Sequence, residues 1–194
     1  MKRTTSGCSL VAMAVCAIAL GWPVNSSAQN VSGQARAVQA TVVTPLGLST
    51  STLADTGTLS SATDARDASQ LSGSVDSLVT AETLHATAIG SSDQVASEAS
   101  VAGLAVAIAG TSVNAGFAQA RATTGNKGVR SATVHDLSIN GVPIDASGAA
   151  NQTIAIPGGT IVINEQTGNV VNALHIVIAG VADVVIASAS ANAQ

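Results

Sequence analysis

From Gln34 onward the chain alternates apolar and polar residues in short runs, each closed by a cluster of Gly, Asn, Asp or Pro. Alternation with period two belongs to a strand, whose side chains point in turn to either face of a sheet. Gln34–Val43 (QARAVQATVV), Val79–Ile89 (VTAETLHATAI) and Ser112–Ala122 (SVNAGFAQARA) are predicted strands on that basis. Val95–Ala109 (VASEASVAGLAVAIA) holds enough Ala for a helix, but Gly103 and the alternation over Leu104–Ile108 favour strand. Thr44–Gly73, rich in Ser, Thr and Asp, is expected to be loop with short strands.

The C-terminal half is clearer. Thr123–Lys127 (TTGNK) is a turn, and Ala132–Ile139 (ATVHDLSI) is a strand ending at Asn140-Gly141, a strong hairpin signal, with Val142–Ala146 as its return. Thr153–Ile156 precedes a Pro157-Gly158-Gly159 turn. Thr160–Asn164 and Val170–Ile178 then form a hairpin around Glu165–Asn169, with Leu174, Ile176 and Ile178 on one face and His175 and Val177 on the other. Val184–Ala191 is the last strand. Many short strands with regular breakers predict an all-β fold, an antiparallel β-sandwich with Greek-key-like connections around one core. Long stretches of period 3.6 are missing from this half, which argues against a helical fold.

The N-terminus breaks this pattern. Lys2 and Arg3 precede an uncharged apolar run from Cys8 to Trp22, Pro23 ends it, and Asn25-Ser26-Ser27-Ala28 supplies the small residues a signal peptidase reads. Residues 1–28 are therefore expected to be a secretory signal peptide cleaved between Ala28 and Gln29, leaving residues 29–194 as a single β-sandwich domain. The run is shorter than the roughly 20 apolar residues a spanning helix needs. Neither Cys8 nor Cys16 stands where a lipoprotein cysteine would. The expected product carries no retained membrane anchor and is secreted or periplasmic.

Composition then removes whole classes of function. Both cysteines leave with the signal, so disulfide and thiol chemistry go with them. The mature chain sets five basic residues (Arg36, Arg66, Arg121, Lys127, Arg130) against eleven acidic ones. Nucleic-acid binding needs basic stripes that neutralise phosphates, and there are none. Phe117 is the sole Phe, Tyr or Trp left, so platforms for stacking bases or sugars are missing as well.

No G-x-S-x-G, Walker A, G-x-G-x-x-G, H-E-x-x-H or C-x-x-C motif occurs. His85, His135 and His175 could form a three-histidine metal site only by meeting in space, since spacings of fifty and forty residues fit no local motif. Asp64 and Asp67, and Asp93 and Glu98, are weak carboxylate pairs. Arg66 accompanies the first, and no calcium-loop pattern surrounds either. Catalytic, cofactor and metal residues are accordingly all expected to be none.

A wider pattern is carried by Ser32–Val38 (SGQARAV), Leu53–Leu59 (LADTGTL), Leu78–Ala86 (LVTAETLHA), Ser97–Ser100 (SEAS), Ile139–Ile144 (INGVPI), Val162–Gln166 (VINEQ), Val171–His175 (VNALH) and Gly180–Ile186 (GVADVVI). Together these stretches resemble the choice-of-anchor P family of bacterial exported proteins over nearly the whole mature chain. The resemblance implies a shared extracellular domain followed by whichever anchor the host uses, and implies no activity. It places His85, Glu98, Asn172 and His175 within family patterns. No anchor follows Ser190, which moves the expectation from cell-surface attachment to a secreted or periplasmic domain.

The expected function is a non-enzymatic β-rich domain, structural, adhesive or interaction-related, whose partners are itself or other envelope or matrix proteins. A hydrolase or metal-dependent enzyme with dispersed residues, or a small-ligand or calcium-binding module, are the alternatives. The first of these needs histidines and a carboxylate to converge in one cleft. Cleavage after Ala28 removes Trp22, so protein recovered outside the cytoplasm should begin at Gln29 by intact mass and be nearly dark at 280 nm. A mass that retains Trp22 would mean a tethered protein.

Overall fold

The computed structural model describes residues 31–125 and 128–193. The expected signal peptide with its Ala28–Gln29 junction lies outside these residues, as do Asn126 and Lys127 of the predicted turn. The described chain is all strand and turn. One sheet holds six antiparallel strands in the order β12 (Gln152–Ile156), β13 (Gly159–Thr167), β14 (Val170–Ile178), β15 (Ala182–Ala193), β1 (Val31–Thr44) and β2 (Gly47–Asp55).

The second sheet has β7 (Val95–Ile108) and β8 (Thr111–Thr123) at its centre. On one side of this pair stand β5 (Val79–Ala81) and β6 (Thr83–Gly90), and beyond them β4 (Gly73–Val75) and β3 (Ala65–Gln70). On the other stand β9 (Arg130–His135) and β10 (Ser138–Ile139), then β11 (Val142–Pro143). The two sheets pack face to face as the expected β-sandwich, with β1 and β15 lying over β6, β7 and β8. Connections are hairpins between neighbours apart from two passages between sheets. The Greek-key-like element is the return of the chain from the second sheet so that β15 lies beside β1.

The core is built from small aliphatic side chains: Ala35, Val38, Leu84, Val101, Ile161, Leu174, Ile176 and Ile186 are all fully buried. No aromatic residue is needed because the sheets approach closely. Gly33 shows how closely, since a Cβ there would sit 2.5 Å from Val95 Cγ1.

Alternation fails in one place on every long strand, and the places line up. In the first sheet two consecutive residues are buried at Ala37-Val38, Ile186-Ala187, Ala173-Leu174 and Ile163-Asn164. Register puts Ala54, Ala37, Ala187, Ala173 and Asn164 in a single row across β2, β1, β15, β14 and β13. Every second strand of that row is left-handed, at Ala54 (φ 45), Ala187 (φ 49) and Asn164 (φ 50). An ordinary β-bulge adds one residue to one strand. Here every strand absorbs the extra residue in the same row, so pairing stays one-to-one on both sides and the sheet is creased.

The second sheet is creased too, with the extra residue turned outward. Glu82-Thr83, Ala102-Gly103, Gly116-Phe117 and His135-Asp136 all point away from the core. Gly103 (φ 60) and Asp136 (φ 54) are its left-handed residues. The crease cuts the outer strands, which separates β3 from β4, β5 from β6 and β9 from β10 although register is unchanged across each break. In both sheets the added side chains point the same way, from the first sheet toward and through the second. That common direction lets the two layers bend together.

Five sequence expectations change in detail. The polar stretch Thr44–Gly73 contains a nine-residue strand, β2, because pairing with β1 supports a Ser/Thr-rich segment that has little apolar alternation. Val79–Ile89 and Ala132–Ile139 are each interrupted by the crease. The strand expected over Val142–Ala146 is confined to Val142–Pro143. Glu165, expected in a turn, lies within β13, and the turn is Gly168-Asn169.

Asn164 is the polar member of the row and ties the two sheets together. Its Oδ1 accepts the Ala132 N–H of β9 at 3.1 Å, and its Nδ2 donates to the Gly148 carbonyl at 2.9 Å. Asn164→Ala leaves that donor and that acceptor unpaired and should lower unfolding free energy by about 2–4 kcal/mol in urea titration. At Ala187 a left-handed β-branched residue is strained and overpacked, so Ala187→Val should cost about 3 kcal/mol or more. Ala187→Gly relieves the left-handed penalty while losing a methyl group, and should stay within about 1 kcal/mol of the parent.

Candidate functional site

The crease changes the outer face of the first sheet. Outward side chains on a strand normally recur every two residues, about 6.6 Å; across the crease they are three residues apart, about 10 Å. One outward row is Asp55, Arg36, Ser188, Asn172 and Glu165, and the next is Thr52, Gln39, Val185 and His175. Between and beside these rows lies a transverse groove of about 230 Å³ over β1, β15 and β14.

Two ionic straps stand beyond the groove on the flanking strands. On β2, Asp55 Oδ2 lies 3.2 Å from Arg36 Nε, and Asp55 Oδ1 accepts from Gln34 Nε2 at 2.8 Å. The Arg36 contact is close enough for attraction but off-axis, so Arg36 Nε is buried without a hydrogen bond. On β13, Glu165 precedes the crease and reaches across it to His175, with Oε1 2.9 Å from Nδ1. Glu165 Oε2 accepts from Asn172 Nδ2 at 2.6 Å. The other imidazole nitrogen, Nε2, lies 3.1 Å from Asp183 Oδ1 on β15.

A histidine between two carboxylates can donate to both only as imidazolium. Burial lowers the His175 pKa, but the Glu165 hydrogen bond and charge, with the charge and hydrogen bond of Asp183, outweigh it and raise the pKa above 6.5. Both nitrogens are occupied, so the ring is arranged to hold three strands together rather than to take a proton from a substrate.

The three histidines named from the sequence do not come together. His175 is on the outer face of the first sheet, while His85 and His135 are on the outer face of the second. The latter two are separated by three strand spacings, about 14 Å. His135 stacks on Phe117 with ring centroids 6.3 Å apart. His85 makes the arrangement nearest to a nucleophile–base pair: Ser69 Oγ is 2.8 Å from His85 Nδ1, and Asp67 Oδ2 is 3.5 Å from the same nitrogen. In a serine triad the carboxylate holds the nitrogen opposite the serine. Here both partners crowd one nitrogen, on an open sheet edge.

The carboxylates considered for calcium are also engaged separately. Asp64 accepts from the Ser60 backbone N–H and hydroxyl and from Arg66 Nε, each at 2.8 Å. The Ser60 amide and the Arg66 contact hold its pKa at about 2. Asp93 is approached by the Ser91 hydroxyl, and Glu98 accepts from Gln119 at 2.9 Å with Arg121 at 4.0 Å. Among the described residues no group of three or more His, Cys, Asp or Glu is placed to hold a metal ion.

Sequence reasoning weighed His175 for a metal site and met Asn172 only within the family resemblance, and it missed Glu165 and Asp183 as their partners. The available signal was register: a two-residue turn at Gly168-Asn169 places Glu165 opposite Asn172. No protein-family model, no curated protein and no solved structure matches the chain.

Because the folded His175 pKa is raised, its contribution to stability is complete below pH 6.5 and is lost as pH rises through the folded value. Unfolding free energy measured from pH 6 to pH 9 should therefore fall as His175 loses its proton. His175→Gln should remove that fall, and a fall persisting in the variant would assign it elsewhere.

Proposed function

We propose that the protein is an exported, non-enzymatic β-sandwich domain that acts by contact, in a structural or adhesive role in the cell envelope or matrix, with a second copy of itself as its first partner. The observation that carries this reading is the edge strand β2. It is hydrogen-bonded on one side only, runs nine residues, and carries no proline and no charge before Asp55. Natural sheet edges are usually blunted by charge, proline, bulges or short length. The other edges conform: β11 has two residues and β4 three, β12 has five and stops at Pro157, β3 carries Arg66 and Asp67, and the six-residue β9 carries Arg130.

The β1–β2 hairpin supports the same reading. It projects beyond the sandwich, with both faces of Gly47–Thr50 exposed and Leu46 and Leu48 in solvent. An antiparallel β2–β2 contact is self-complementary, uses main-chain hydrogen bonds for affinity, and would cover those leucines. The resemblance to choice-of-anchor P proteins and the sequence of residues 1–28 support export. The polar residues near His175 and His85 are arranged for holding strands, which favours contact over catalysis.

Sedimentation velocity across a wide concentration range tests this. Dimers that form with concentration and are abolished by Thr50→Lys with Thr52→Lys, at unchanged melting temperature, are expected. Strictly monomeric protein at the highest concentration, or dimers indifferent to those lysines, would count against it.

A further inference from the structure

We infer that the transverse groove on the outer face of the first sheet binds a neutral, hydroxyl-rich ligand: a single ring of a saccharide, free or within a chain laid across β1, β15 and β14. The inference is independent of self-association through β2, because the groove lies across the sheet rather than along its edge.

The first argument is what the groove lacks. Its one cation, Arg36, already faces Asp55 at 3.2 Å, and Glu165 stands on the flanking strand at the other side. With the excess of acidic residues over the whole chain, the field does not favour anions such as phosphates or uronic acids. A free ammonium group finds no open carboxylate either, since Asp55 is taken by Arg36 and Gln34, and Glu165 by His175 and Asn172. No aromatic ring lines the walls, which removes stacked bases, aromatic ligands and sugars held by aromatic stacking, and leaves hydrogen bonding to hold a sugar ring.

The second argument is what remains. Gln34, Gln39, Asn172, Ser188 and Ser190 offer neutral amides and hydroxyls, and Val170 and Val185 add a small apolar surface suited to the C–H face of a sugar ring. At about 230 Å³ the groove falls below the roughly 300–1,000 Å³ of sites for drug-sized ligands, which limits it to one ring at a time.

The third argument is a mismatch in the walls themselves. Asn172 Oδ1 is an acceptor without a hydrogen-bond partner, and Arg36 Nε, a donor, is met only off-axis by Asp55 Oδ2 at 3.2 Å. The Asn172 amide cannot turn over to relieve this, because its Nδ2 is the group that donates to the Glu165 carboxylate, which only accepts. Both atoms are buried in the free protein, so their side chains must turn to meet a ligand; a hydroxyl both donates and accepts and can then complete either, whereas a purely accepting or purely donating ligand can complete only one.

The experiment is an NMR titration of the isolated protein, ¹⁵N-labelled, with maltose, cellobiose, N,N′-diacetylchitobiose and glucuronic acid as probes. At least one neutral sugar should bind at millimolar strength and shift the side-chain amides of Gln34, Gln39 and Asn172 and the Ser188 amide. Glucuronic acid should bind at least tenfold more weakly. Gln39→Ala, whose side chain makes no hydrogen bond that holds the fold, should weaken binding about tenfold with an unchanged melting curve, and Asn172→Ala more. No shifts in the groove at tens of millimolar sugar, shifts confined to other surfaces, or equal binding of glucuronic acid would each overturn the inference.

Discussion

A row of left-handed residues crossing each sheet is the constraint from which the rest of this structure follows. Ala54, Ala187 and Asn164 mark it in one layer, Gly103 and Asp136 in the other. A left-handed alanine costs about 1–2 kcal/mol, so the row persists only because neighbouring strands require it. If one strand of the first sheet dropped its extra residue, every side chain beyond would change face, and Ile176, Val184 or Ala40 would turn to solvent. The small side chains in the row follow from the same demand. Ala37, Ala173 and Ala187 each stand beside a larger residue on the same inner face, where little space is left. Glu82 and Asp136 lie across Gly103 and Gly116 in the second sheet, where a Cβ would come within 2.8 Å of either carboxylate side chain.

The crease then explains where polar chemistry collects. By spreading outward side chains from two residues apart to three, it opens a groove lined by amides, hydroxyls, Arg36 and two valines. Strands on both sides of such a groove need connections across it, and the ionic strap of Glu165 and His175 supplies one. His175 is therefore a strand-holding residue whose grip on Glu165 and Asp183 depends on pH.

Much of the fold was legible in the sequence because burial on one face imposes period two. Val170–Ile178 displays it in Leu174, Ile176 and Ile178, and all three are buried as read. Strand β2 was not legible: LSTSTL has almost no apolar alternation, and its partner β1 rather than its own composition makes it a strand. The crease left a trace as apolar doublets at Ala37-Val38, Ala173-Leu174 and Ile186-Ala187. Alanine fits either face, so a doublet containing it reads as noise until register shows that the doublets coincide. Val95–Ala109 looked partly helical for its Ala content, while Gly103 and the alternation over Leu104–Ile108 favoured strand. The candidate site was hardly legible: His175 was read only as one of three scattered histidines and Asn172 only within the family resemblance, while Glu165 was hidden because the turn after it is shorter than its polar sequence suggests.

The most direct test is the backbone conformation of Ala54, Asn164 and Ala187 in solution. An NMR measurement of the distance from each amide proton to its own α-proton, with the ¹³C shifts of the same residues, distinguishes left-handed from extended backbone. The account predicts a short intraresidue distance and left-handed shifts at all three positions, with extended values at Ala37 and Ala173 between them. Extended values at all five would mean that no crease exists, and would remove the groove along with it.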